Sequence, residues 1–134
     1  MSGETDLKRL LSTMEPQLRP EGLVFLTLPP DRPIPEGLDP VMMFREREGT
    51  TLILIEERAQ AAGLGGSFRC RMITLNVHSS LEAVGFLAVI TARLAAAGMG
   101  VNPVSAFHHD HLFVPAGREE EAMAILESVV RENA

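Results

Sequence analysis

The residues best suited to chemistry lie between Val77 and Pro115, in two clusters. The first is His78, Ser79, Ser80, Leu81 and Glu82. Ser79 to Glu82 have the Ser-x-x-Glu spacing of a capping box, in which hydroxyl and carboxylate each accept from a backbone amide at a helix start. The same turn has a binding reading. Amides left free there, at the positive end of a helix dipole, suit an α-carboxylate, while Glu82 can take an ammonium. The second cluster is Ala106, Phe107, His108, His109, Asp110 and His111. Asp110 is either a turn residue between strands or another ammonium partner, and Phe107 can cover an apolar side chain.

Three histidines beside an aspartate, with His78 as a fourth, raise the question of a metal. On a strand only His109 and His111 share a face, and no cysteine or carboxylate stands at ligand spacing, so the reading is no metal and no cofactor. Cys70 sits in a strand-like run and reads as a small buried hydrophobe. No glycine-flanked serine elbow, glycine-rich phosphate loop or paired catalytic carboxylates occur, so the chain reads as non-catalytic.

Composition narrows the partners. Twelve Lys and Arg against eighteen Asp and Glu give a net charge of −6, which leaves no basic footprint for nucleic acid or anionic membrane. Trp and Tyr are absent, so an interface must rely on Phe, Met and aliphatics. The longest apolar segment, Leu81 to Ala97, is shorter than the ~20 residues that span a bilayer and carries Glu82 and Arg93. A single cysteine excludes an intrachain disulfide, and the opening MSGETDLK lacks the apolar run of a signal peptide, so the expected location is the cytoplasm.

These residues must be positioned by regular elements. Leu7, Leu10, Leu11, Met14 and Leu18 recur at helical spacing, with Thr5 and Asp6 before them and Pro16 and Pro20 to close the helix. Leu23 to Leu28 reads as a buried strand, and five prolines between Pro29 and Pro40 dictate an extended connection. Met43 to Arg47 and Thr50 to Ile55 flank Glu48-Gly49 as a hairpin. Glu56 to Ala62 is helical, and Gly63, Gly65 and Gly66 form a joint, which divides the chain into modules 1–66 and 67–134. Beyond it Arg71 to Val77 alternates as a strand, and Leu81 to Ala97 is a helix apolar nearly all round, which calls for cover on a second side. Val101 to Phe107, containing Pro103, and His111 to Val114 are strands. A final amphipathic helix carries Ala122, Ile125, Leu126, Val129 and Val130, with Glu119 to Glu121 in its first turn.

The second module then reads strand, helix, strand, strand, helix, the split βαβ pattern without its last strand, which Leu23 to Leu28 could supply. The stretch VHSSLEAVGFLAVITARLAAAGMGVNPVSAFHHDHLFVP resembles bacterial ACT-domain proteins of the tandem type, relatives of the eukaryotic cytosolic arginine sensors. FREREGTTLILIEERA resembles the same family's first module. The likeness spans about residues 5–131, is densest in SSLEAVG and HDHLFVP, and departs at Pro103, where a small aliphatic is expected. It implies an α+β fold of tandem ferredoxin-like βαββαβ modules, and a regulatory role that binds an amino acid at strand-to-helix turns. By resemblance, Glu82, Ala106, Phe107 and Asp110 line the pocket. With the turn residues, the candidate ligand-binding set is Ser79, Ser80, Leu81, Glu82, Val84, Ala106, Phe107 and Asp110. The expected partners are an amino acid and a second copy of the chain, the latter because the Leu81 to Ala97 helix is apolar on more faces than one module covers. A purely structural adaptor is the competing reading.

Overall fold

A computed structural model describes residues 3–134. In chain order the elements are α1 (Leu7–Thr13), β1 (Glu15–Leu28), β2 (Met42–Arg45), β3 (Thr50–Ile55), α2 (Glu56–Ala61), β4 (Ser67–Asn76), α3 (Phe86–Ala96), β5 (Asn102–Ser105), β6 (Asp110–Pro115) and α4 (Glu119–Asn133). The fold is mixed α/β, with antiparallel strands in βαββαβ-like repeats.

Two compact units result. The larger joins the residues up to Arg19 with Arg71–Ala134, and the smaller is Pro20–Cys70. The division expected at 66/67 is therefore not the boundary of these units, because β1 and β4 each begin in one unit and end in the other.

In the larger unit the strand order is β1, β4, β6, β5. Its outer strand beside β4 is the start of β1 and not Leu23 to Leu28, which pair with β3 in the smaller unit from Leu23↔Ile55 to Leu28↔Thr50. The difference begins at the first helix. Asp6 caps α1 by accepting from the Arg9 amide, and the backbone turns extended at Met14. Leu18 fits a helical period, but it also fits the alternation of Pro16 and Leu18 inward with Gln17 and Arg19 outward, and it packs on the core from a strand. Pro16 and Pro20 thus lie in β1 and do not close a helix.

The core of this unit gathers Leu10, Leu11 and Met14 of the N-terminal segment, Ile73 and Leu75 of β4, Phe86, Ile90 and Leu94 of α3, and Ala122, Leu126 and Val129 of α4. Each large aliphatic buried this way contributes about 1.5–3 kcal/mol. The second-side cover expected for the apolar helix comes from within the unit, since α3 packs on both α1 and α4. Arg93 of α3 grips Glu132 of α4 with two hydrogen bonds of 2.9 Å. The exposed face of α3 is left to Ala88, Ala92, Ala95 and Ala96. Pro103 lies in β5, at the sheet edge where a missing donor is harmless.

The smaller unit has strand order β2, β3, β1, β4, with α2 packed on β3. Val24, Leu26, Leu28, Leu38, Leu52, Leu54 and Ala59 form its core. The hairpin appears as expected, with Met42↔Ile53 through Arg45↔Thr50 in register. Between β1 and β2 there is no helix, because the prolines between Pro29 and Pro40 remove donors and fix the backbone. Cys70 is fully buried, its thiol donates to the Leu23 carbonyl at 3.6 Å, and burial pushes its pKa up to about 11.

Candidate functional site

The site is built where β4 runs out. After Asn76 the chain turns through Val77 and Ser79, and the N-terminal segment lies alongside it. The Glu4 amide donates to the His78 carbonyl at 2.8 Å, and the Ser80 amide donates to the Glu4 carbonyl at 2.9 Å. This approach requires glycine at position 3, where φ is +103° and a Cβ would stand 2.6 Å from the Ser80 nitrogen.

The capping box expected at Ser79 to Glu82 does not form, because the helix starts later. Gly85, with φ +93°, occupies the N-cap position of α3, a left-handed conformation that a side chain disfavours, and Phe86 is the first helical residue. Ser80 Oγ instead accepts from the Glu82 amide at 3.0 Å, a local turn, and Ser79 Oγ donates to Asp110 Oδ2 at 3.3 Å. The Ser80 amide is also committed to Glu4 and is not free for a ligand.

The two ends of α3 are consequently unequal. At its C-terminus Arg118 donates to the Gly98 and Ala97 carbonyls at 3.0 and 2.9 Å, and the Met99 amide returns to Leu94. At its N-terminus no side chain caps the helix. The amides of Phe86, Leu87 and Ala88 occupy the first turn, where the helix offers no carbonyl to receive them. A cavity of about 160 Å³ opens at this end. One wall is Ser79, Ser80, Leu81 and Ala83 with Gly85 to Ala88, and the other is Ser105, Ala106 and Asp110. The Asp110 and Ser80 side chains are buried.

Of the residues expected from sequence, Ser79, Ser80, Leu81, Ala106 and Asp110 come together in this cavity. Glu82, Val84 and Phe107 are not among its lining residues. Glu82 is exposed, Val84 is 83% exposed, and Phe107 is 60% exposed with its ring 5.1 Å from that of His108 and 6.4 Å from that of His78. Sequence reasoning missed the helix start itself, and with it Ala83 and Gly85 to Ala88 on the cavity wall; Ser105 belongs to the strand-end stretch, Ser105 to Asp110, that the family resemblance implied, without being singled out there. The local signal for the later start was Gly85, inside a predominantly apolar run.

The histidines are spread along one edge, with ring separations of 5.7 Å for His78 and His108, and 6.5 Å for His109 and His111. Among the described residues no group of three His, Cys, Asp or Glu is placed to hold a metal ion. His109 Nδ1 donates to the Val77 carbonyl at 3.3 Å, which ties the turn between β5 and β6 to the turn bearing Ser79. His111 Nδ1 lies 3.0 Å from Thr74 Oγ1, whose hydroxyl can donate to the neutral ring.

The chain belongs to the ACT-domain family: one ACT-domain model matches residues 2–71 and a second matches residues 67–128. A protein of unknown function from Vibrio cholerae is 38% identical in sequence, with a TM-score of 0.81 over 96% of this chain and 99% of that one. The regulatory subunits of aspartate kinase from Thermus flavus and Thermus thermophilus share the fold at 14% identity. Each has a TM-score of 0.63, covering 87% and 89% of this chain and 95% and 97% of theirs. No curated protein matches the sequence. No helix among the described residues is long and apolar enough to cross a membrane.

The His111 pKa is lowered, chiefly by burial and then by His109 and Arg19 against the pull of Asp110. The unfolded chain therefore takes up the proton first as pH falls below 6.5, so stability is full above that value and declines as pH drops toward the lower folded pKa. Urea midpoints measured at about pH 7 and about pH 5 should drop for the unmodified protein and drop less for His111→Gln. An equal drop in both would show that His111 does not carry this dependence.

Proposed function

We propose that the chain is a non-catalytic regulatory module that binds an amino acid in the cavity at the start of α3. The observation that carries this reading is the uncapped first turn of α3 facing the buried carboxylate of Asp110 across one cavity. A zwitterion complements both walls. Its carboxylate accepts from the Phe86 to Ala88 amides at the positive end of the helix dipole, and Asp110 accepts from its ammonium. Ser79 holds Asp110 at 3.3 Å, and Ser105 and Ala106 close the wall beside it. The volume is comparable to the ~150 Å³ cavity known to admit benzene, which suits a small ligand. Leu81, Val84 and Phe107 are exposed large apolar residues, with Leu81 on the cavity wall. In this reading Glu82 contributes to the local turn and not to the ligand.

Regulation follows from coupling. A ligand that satisfies both walls favours whichever arrangement holds them at binding distance, and a partner that distinguishes the arrangements reads the event. The sequence-order modules 1–66 and 67–134 are each an ACT-like repeat in this scheme. The partner includes a second copy of the chain. The apolar helix α3 does not itself require a second copy, because α1 and α4 cover it. A different feature supports it: β2 is an edge strand that exposes Met43 by 44% and Phe44 by 64%, beside Val41.

Screening the twenty amino acids by thermal shift tests the binding. A ligand at ~100 times its Kd adds about 2.7 kcal/mol, a rise of a few degrees. For the amino acid found, Asp110→Asn should weaken binding by about 1.5–3 kcal/mol, the value of a hydrogen bond to a charged group, while Glu82→Gln leaves it unchanged. Unchanged affinity in a folded Asp110→Asn variant, or a loss in Glu82→Gln, would contradict the assignment.

Light scattering at micromolar concentration should give twice the 14.6 kDa chain mass. A mass of one chain would remove the second copy from the account.

A further inference from the structure

The two hairpins of the chain are the same object displaced by sixty residues. Met42–Arg45 and Thr50–Ile55 become Asn102–Ser105 and Asp110–Pro115, and the pairings Met42↔Ile53 and Arg45↔Thr50 become Asn102↔Phe113 and Ser105↔Asp110. Their turns close alike, by the Glu46 amide on the Gly49 carbonyl at 2.9 Å and by the Ala106 amide on the His109 carbonyl at 3.0 Å. In the larger unit Ser105, Ala106 and Asp110 wall the cavity at α3. Their counterparts Arg45, Glu46 and Thr50 wall a second cavity, of about 340 Å³, lying wholly in the smaller unit. Its other wall is Pro30, Arg32, Pro33 and Ile34, the loop that stands where the larger unit has its helix.

The position is repeated and the chemistry is changed. The Asp110 carboxylate is replaced by the Thr50 hydroxyl, and Ser105 by the guanidinium of Arg45. The uncapped helix turn is replaced by a loop bearing a second guanidinium, Arg32. Elsewhere in this unit Arg58 pairs with Asp39 at 3.5 Å and Arg69 with Glu56 at 2.8 Å. Neither Arg32 nor Arg45 has a side-chain hydrogen bond or ion pair among the described residues. The one acidic group of the cavity, Glu46, accepts from Thr51 Oγ1 at 2.6 Å, so one of its oxygens is already occupied. In a protein of net charge −6, this cavity carries two free cations against one engaged anion.

We propose that this second cavity binds small dicarboxylates, with Arg32 and Arg45 each forking onto a carboxylate and the Thr50 hydroxyl donating to one of them. Guanidinium forks match carboxylate geometry and gain from two parallel hydrogen bonds. The volume falls at the lower end of ligand-sized sites, ~300–1,000 Å³, so it suits a short-chain dianion over a large cofactor. The site is independent of the amino-acid reading of the first cavity and stands if that reading fails.

Titration calorimetry of the full chain with succinate, and separately with inorganic phosphate, tests it. Succinate should bind in the millimolar range or tighter, and more weakly as salt rises. Arg32→Gln and Arg45→Gln should each reduce affinity about tenfold or more. Both arginines are exposed, so the variants should melt as the unmodified protein does. Amide shifts of Arg32, Ile34, Arg45 and Thr50 on adding succinate should locate the site. The proposal is overturned by no binding at about 10 mM succinate, by unchanged affinity in both variants, or by phosphate binding as tightly as succinate.

Discussion

The arrangement of the larger unit depends on how the two ends of α3 are satisfied. Arg118, at the N-cap position of α4, crosses to the Ala97 and Gly98 carbonyls and is held by Glu121. Its charge therefore sits where the helix dipole is negative. The opposite end receives no such side chain. Leaving amides unpartnered is tolerable only where water or a ligand reaches them, and the cavity bounded by Asp110 provides that access. The rest of the unit fixes this geometry. Phe86, Ile90 and Leu94 anchor the helix in the core, the Arg93 and Glu132 pair ties it to α4, and Gly3 and Glu4 brace the turn at Ser79 and Ser80.

Repetition explains much of the remainder. Each unit presents one end of a hairpin of identical register to a connecting segment that leaves a neighbouring strand. In the larger unit that connection is a helix and supplies amides. In the smaller it is proline-rich, cannot be helical, and supplies a side chain instead. The hairpin frame is retained while the residues at its tip, Ser105, Ala106 and Asp110 against Arg45, Glu46 and Thr50, give the two cavities different polar and charged groups.

Most elements were legible because their patterns are local. The alternation of Arg71 to Val77, the turn at Glu48-Gly49, the proline cluster and the acidic first turn of α4 each carry their own signal. The family was legible from SSLEAVG and HDHLFVP. Three features were not. Leu18 satisfies helical and strand periods alike, so the start of β1 was hidden behind α1. The exchange of β1 and β4 between units is a long-range pairing with no local mark. The delayed start of α3 was masked because Leu81, Ala83 and Val84 continue the apolar pattern of the helix they precede, and Ser-x-x-Glu is a convincing cap wherever a helix follows at once. Asp110 and Glu82 were both placed in the pocket by the family resemblance and as ammonium partners; Asp110 lines the cavity, whereas Glu82 is exposed and is not among its lining residues, because the helix starts later than the Ser-x-x-Glu spacing implies.

Nitrogen-15 chemical-shift mapping with the amino acid selected by thermal shift tests the central claim most directly. It reads the amides of α3 and the hairpin tip in one titration. The account predicts that Phe86, Leu87 and Ala88 shift most, together with Ala106 and Asp110, while Arg118 at the capped end stays still. Largest shifts at Glu82 to Val84 with Phe86 to Ala88 unmoved, or no shift with any amino acid, would contradict it.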